Sequence, residues 1–206
     1  MMSGSVINKK IIAKSGAAVA DWQGHTFPYY YIVKLSNYHI KFICVNLHPY
    51  KKKKMGKAII KTVKGDMTVD FYEKDAPKAV ANFKKLAKEG FYDGVTFHRV
   101  IPNFVIQGGC PNSKDGASGM AGTGGPGYKI DCELDGDNQY HDRGVLSMAH
   151  AGRNTGGSQF FVCHSRDNTA HLDRNHTCFG KVVENVDLVD DIRQGDKILT
   201  VEVIED

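Results

Sequence analysis

Alternation between apolar and polar positions begins abruptly after residue 56. KAIIKTVKGDMTVDFY, residues 57–72, alternates on both sides of KGDM and predicts a β-hairpin. The period then changes. DAPKAVANFKKLAKEGFYDG places Val80, Phe83 and Ala87 on one helical face, with Asp75 set to cap, Pro77 in the first turn and Gly90 at the exit. Strand signals follow in VTFHRVI, FVIQGG, YKIDCEL, GVLSMAH, SQFFVCH, TCFGKVV and KILTVEVIE. VENVDLVDDIRQG predicts a second helix, with Val186, Val189 and Ile192 on one side and Gly195 at its end. There is no internal repeat. Many short strands with glycine-rich connections predict a mainly β sandwich or barrel, its open ends covered by two helices. The longest loop, PNSKDGASGMAGTGGPG, has a length typical of functional loops.

Composition divides the chain at Lys51–Gly56. The first 54 residues carry nine lysines against Asp21, a charge of +8, whereas residues 55–206 carry 18 basic and 22 acidic side chains, a charge of −4. The basic balance therefore belongs to the leader, and no basic stripe in the body points to nucleic acid. The leader is aromatic-rich and without clean periodicity. Residues 1–54 are expected to be a basic N-terminal extension that is disordered or not naturally translated, with Met55 as the natural start. They make a poor transit or secretory peptide, and no run of 18 apolar residues suggests a membrane span. Five cysteines, an odd number without CxxC, argue for reduced thiols and a cytoplasmic setting.

Several motifs are decoys. GTGGPG matches G-x-G-x-x-G without the strand–turn–helix that gives the motif its meaning, and reads instead as a loop close to a ligand or strand. Cys163 and His164 point to opposite faces of a strand, so they form no nucleophile–base pair. His164, His171, His176 and Cys178 fit no zinc spacing, so no metal site is expected. Ser158 is not in a nucleophile elbow. What remains is TFHRVIPNFVIQGG, residues 96–109, which reads as buried strand with Arg99 in its midst. Strand period puts Phe97 with Arg99, Val105 with Gln107, and Gln159 with Phe161 and Cys163. If these faces meet, they form an apolar surface bearing one cation and two amides, the usual anatomy of a small-ligand or peptide pocket. Taken alone, Arg99 is better explained by pairing with a buried acid.

FHRVIPNFVIQGG, GTGGPGY, LSMAHAGRNTGGSQFFV and HLDRNHTCFGKVV, in that order, resemble the cyclophilins, which are peptidyl-prolyl cis–trans isomerases. The resemblance covers nearly all of residues 55–206 and none of the leader. It implies a closed eight-stranded antiparallel β-barrel capped by two α-helices, and isomerisation of Xaa–Pro bonds in unfolded or flexible protein clients. By position, Arg99 matches the catalytic arginine. Phe104, Phe161 and Leu172 match the proline pocket, with Val105 where methionine is common. Gln107 matches the glutamine that bonds the substrate carbonyl region. Ala149 and His150 match the strand that pairs with the peptide, Gln159 the floor, and His176 the rim. No cofactor is implied, because no bond is made or broken. His171 stands where a cyclosporin-contacting tryptophan is common, which implies weak cyclosporin binding. His150 and Asn103 also depart from the common pattern. Phe97, Phe160, Phe179 and Val162 are expected in the core, and His98 and His164 as hydrogen-bonded structural histidines. A monomer is expected. The competing reading is a proline-peptide binding module or holdase without turnover.

Overall fold

The computed structural model describes residues 56–205 and, before them, only four short strand segments. Residues 1–53 and 54–206 are separate compact units. In the first, Val19–Ala20 pairs with Thr26–Phe27, and Tyr31–Lys34 with Ile40–Ile43, each antiparallel. The expectation for the state of residues 1–54 otherwise lies outside the described residues.

The second unit begins with β1 (Lys57–Thr62) and β2 (Gly65–Phe71), followed by α1 (Pro77–Lys88), β3 (Arg99–Ile101) and β4 (Val105–Gly108). Then come β5 (Val145–Met148), β6 (Phe160–Cys163), α2 (Arg166–Thr169), β7 (Cys178–Glu184), α3 (Leu188–Asp191) and β8 (Ile198–Ile204). The eight strands form one antiparallel sheet in the order β8-β1-β2-β7-β5-β6-β4-β3.

Period-2 patterning sends Ala58, Ile60, Met67, Val69 and Phe71 into the core, as the alternation predicts. Phe97, Phe160, Val162 and Phe179 join them, fully buried. From α1, Phe83 enters a cluster of Phe71, Tyr92, Phe160 and Phe179 with ring centroids 4.9–5.8 Å away.

Closure and capping depart from expectation. The sheet is curled, but its ladder does not close. Between its edges there is one bridge, Thr96 to Lys197, flanked by bonds from the Phe97 N–H to the Asp196 carbonyl (2.9 Å) and the Ile198 N–H to the Val95 carbonyl (2.8 Å). β3 is three residues long and stops at Pro102, which has no N–H to extend an edge.

Of the two expected helices, only α1 is substantial. The second shrinks to the four residues of α3, because Asn185 turns the chain at φ 58° and Ile192 is already extended, with its side chain in the core. The four-residue α2 is unexpected. YKIDCEL is not a strand. Its Cys132 and Glu133 N–H groups bond to Asn154 Oδ1 and Thr177 Oγ1, which leaves only the Ile130–Gly156 bridge. The hairpin turns at Val63–Lys64, so of KGDM only the lysine lies in the turn and Gly65 already begins the second strand.

Pro77 and Gly90 bound α1 as predicted, Gly90 at φ 67°. Asp75 does not cap it. Its carboxylate accepts bonds from Asn138 instead. The cap comes from far along the chain, where Glu133 accepts the N–H groups of Lys78 and Ala79 at 3.0 and 2.9 Å. A carboxylate there also meets the positive end of the helix dipole. Glu133→Ala is therefore expected to lower stability by about 1 kcal/mol, read as a fall in the urea midpoint with unchanged slope. No helix among the described residues is long and apolar enough to cross a membrane.

Candidate active site

The outer face of β4, β5 and β6 carries a second apolar cluster, separate from the main core. Val105, Val145, Phe161, Cys163 and Cys178 are buried in it, and Tyr72, Phe104, Ala149 and Leu172 pack against them. Antiparallel register sets Phe161 opposite Gln107 and Ser147. Above this floor opens a cavity of about 710 Å³. Arg99, Phe104, Val105, Gln107, Ala149, His150, Gln159, Phe161, Leu172 and His176 all line it. Every site residue read from the sequence thus faces one space.

The far wall includes the GTGGPG loop, expected to lie close to a ligand or strand, together with residues the sequence did not single out. It is built from Gly122–Pro126, with Tyr128, Lys129, Thr155 and Gly157 nearby. The length of the glycine-rich loop signalled it, but nothing local marked Tyr128. Its hydroxyl donates to Asn82 Oδ1 (2.7 Å), while Asn82 Nδ2 donates to the Gly157 carbonyl (2.7 Å), so a buried asparagine on α1 holds two parts of the wall.

Arg99 differs from both early readings. Its side chain is exposed at the cavity edge rather than buried, and among the described residues no carboxylate lies within salt-bridge range. Nor does it share a face with Phe97. The chain leaves regular strand geometry at Phe97–His98, so Phe97 enters the core and Arg99 turns outward. The guanidinium lies 6.0 Å from the Phe104 ring and donates from Nη1 to Gln107 Oε1 at 3.3 Å.

A directed chain of amides begins there. Gln107 Nε2 donates to Gln159 Oε1 (3.2 Å), and Gln159 Nε2 donates to the Gly122 and Gly124 carbonyls (2.8 Å each). Carbonyls accept only, so they fix which end of Gln159 is nitrogen, and hence which end of Gln107 faces Arg99. Asn103 adopts φ 63° in the turn before Phe104, a conformation asparagine tolerates.

Residues 57–205 match the family described as cyclophilin type peptidyl-prolyl cis-trans isomerase/CLD. The chain belongs to the cyclophilins. It is 54% identical over 154 residues to a peptidyl-prolyl cis-trans isomerase of Synechococcus elongatus, covering 74% of this chain and 99% of that one. Peptidyl-prolyl cis-trans isomerase B of Bacillus subtilis is 52% identical over 134 residues, 65% of this chain and 87% of its own. A crystal structure of a Cryptosporidium parvum cyclophilin in the presence of the dipeptide Ala-Pro superposes with a TM-score of 0.63 at 29% identity, covering 73% of this chain and 99% of that one. As a cyclophilin, the chain is an enzyme that interconverts cis and trans Xaa–Pro bonds.

Histidines line one side of this cyclophilin's cavity. His176 Nδ1 bonds the Met148 carbonyl (3.0 Å), and its ring stacks on His150 at 4.0 Å. Burial lowers the His176 pKa, and the His150 and His171 rings act in the same direction. His150 Nε2 donates to the Asn175 carbonyl (2.9 Å), and its Nδ1 accepts the Gly152 N–H, which fixes the tautomer. His171 stacks on Phe104 at 5.7 Å. His98 and His164 are not the fully bonded histidines expected. Both ring nitrogens of His98, and Nε2 of His164, are buried without a hydrogen-bond partner among the described residues.

Beneath Phe161 lies His141, fully buried and stacked on that ring at 5.7 Å. It is held by Asp173 Oδ1 (3.1 Å) and Ser147 Oγ (2.9 Å). Burial opposes charge on Asp173, yet the Arg166 guanidinium and the His141 N–H groups hold its pKa below the usual carboxylate range. Burial pushes the His141 pKa down from 6.5 to about 4. The unfolded chain takes this proton below pH 6.5, whereas the folded chain resists it until about pH 4. The stability His141 contributes is therefore complete above pH 6.5 and is lost as pH falls toward 4, by about 3 kcal/mol. Urea midpoints at neutral pH and near the lower limit should differ accordingly, and His141→Gln should flatten that slope.

Proposed function

We propose that this cyclophilin turns Xaa–Pro bonds through a single cation, Arg99, placed beside an apolar seat for the proline ring. A peptide bond rotates against about 18–20 kcal/mol because its nitrogen lone pair is delocalised. In the twisted transition state that lone pair returns to the prolyl nitrogen, which then accepts a hydrogen bond the planar ground state cannot. A guanidinium donor aimed there stabilises the transition state selectively, and it stays charged at any working pH. Phe161, Val105, Phe104 and Leu172 seat the ring. Ala149 and His150 pair with the peptide backbone, Gln107 bonds the substrate carbonyl region, and His176 closes the rim.

The observation that carries this reading is the Arg99 guanidinium held at the cavity edge by an oriented amide and paired with no acid among the described residues. Its clients are proline-containing segments of unfolded or flexible proteins. It acts as a monomer in the cytoplasm, consistent with four free thiols among the described residues. Exchange NMR on a short Xaa–Pro peptide with catalytic amounts of the full chain tests it. Faster cis–trans exchange, with perturbed signals from Arg99, Phe161 and Leu172, is expected. Binding without faster exchange would instead describe a holdase.

Cyclosporin binding is expected to be weak. An imidazole at His171, stacked on Phe104, offers less apolar area than an indole. Titration calorimetry giving a nanomolar Kd would overturn this.

A further inference from the structure

The amide chain ending on Gln159 does not end at the loop. The Gly122 and Gly124 carbonyls that orient Gln159 belong to residues whose N–H groups point the other way, to the sulfur of Cys110, at 3.1 and 3.3 Å. Cys110 is fully buried, two residues beyond the end of β4. Its carbonyl is pinned by Ser113 Oγ at 2.7 Å, and Gly124 packs so tightly on Pro111 and Asn112 that an added Cβ would lie 2.9 Å from each. The loop is thus gripped from beneath by a thiol and from the cavity side by an amide. A sulfur atom is a weak acceptor and adapts to several donors at once.

We infer that Cys110 is a positioning residue for isomerisation: its sulfur sets the Gly122–Gly124 loop, and the loop, through Gln159 and Gln107, sets the aim of Arg99. This rests on the reading of Arg99 as the catalytic group. The sulfur touches neither the cavity nor the substrate, so its effect is conveyed entirely by hydrogen-bond direction. Without it, two backbone N–H groups lose their acceptor and the two carbonyls are free to tilt. Gln159 can then rotate its amide end for end, which presents Gln107 with a nitrogen instead of an oxygen. Gln107 in turn offers Arg99 an N–H in place of Oε1, and the guanidinium is released from its position. Because the proline seat is built from other residues, substrate affinity should be largely spared.

The test is kinetic and spectroscopic on the full chain. Cys110→Ala is expected to lower kcat about tenfold with KM changed less than about twofold, a loss within what small misplacements of reacting groups produce. Cys110→Ser restores an acceptor and should recover most of kcat. The Arg99 Nε–H and Gln159 side-chain amide resonances should move in the alanine variant and return in the serine variant, which a purely structural role for the thiol would not require. If the alanine variant does not fold, amide exchange in the unmodified protein decides. Gly122 and Gly124 should be protected while Gly125 in the same loop exchanges freely, and equal rates at all three would overturn the proposal. It also fails if Cys110→Ala keeps full kcat, or loses it with the Arg99 and Gln159 signals unmoved. If Arg99→Ala itself retains activity, the fault lies with the assignment of Arg99, and the Gln159 side-chain amide signal in Cys110→Ala still decides whether the sulfur sets the loop.

Discussion

Arg99→Ala should lower kcat/KM on a short Xaa–Pro peptide about 10–150-fold, with the loss in kcat and little change in KM. The size follows from one charge-assisted hydrogen bond, about 1.5–3 kcal/mol, made only in the twisted state. It should not abolish activity. A 10⁵-fold acceleration needs about 7 kcal/mol, so anchoring the ring over Phe161 and drying the amide must supply the remainder. Stability should hardly change, because the exposed guanidinium makes only a 3.3 Å bond to Gln107 and a contact with the Phe104 ring. Arg99→Lys should fall between, since an ammonium keeps the charge but loses the planar fork that can meet Gln107 and substrate together. Exchange NMR supplies the rates and thermal unfolding the control. A drop in kcat/KM below about threefold in the alanine variant would remove Arg99 from the chemistry.

Gly109→Ala should be the most damaging single methyl in the site. Gly109 sits at φ 83°, and an added Cβ would lie 2.4 Å from the Ser158 carbonyl and 3.1 Å from Gln159 Cα. Both obstacles are backbone, so no rotamer change relieves them. A left-handed alanine and a forced overlap together cost about 2–5 kcal/mol. Relief would require β4 to move away from β6 where Gly108 pairs with Phe160, which would pull Gln107 from Gln159. The urea midpoint should fall, and the fraction that remains folded should be slow. Gly108→Ala is the contrast, since its Cβ meets the Phe97 ring edge at 3.3 Å, which a side chain can partly yield. If Gly109→Ala is as stable as the parent, the close approach of these two strands is not essential.

Sequence alone carried the cavity further than it carried the architecture around it. The ten candidate residues stand in motifs whose order identifies the family, and all ten face one space. Strand period, which sets Phe160 and Val162 on the face opposite Phe161, agrees with their full burial. Period failed where the chain departs from regular geometry. Arg99 and Phe97 are two apart, yet diverge because the strand breaks between them. The helix expected over residues 183–195 was undone by Asn185 and Ile192, whose conformations answer to turn and core rather than to helical spacing. YKIDCEL alternates like a strand, but side chains elsewhere claim its N–H groups. The sulfur beneath the glycine loop left no pattern at all, because its partners are backbone groups 12 and 14 residues away.

The distant cap on α1 bears on the order in which the protein assembles. Glu133 lies 55 residues from Lys78 and 54 from Ala79. A ribosome adding about 5–20 residues each second exposes the helix several seconds before the carboxylate that completes its first turn. A twelve-residue helix is marginal in water by itself. During synthesis α1 should therefore flicker, and it should settle only once the segment between β4 and β5 has emerged and folded back across its N-terminus.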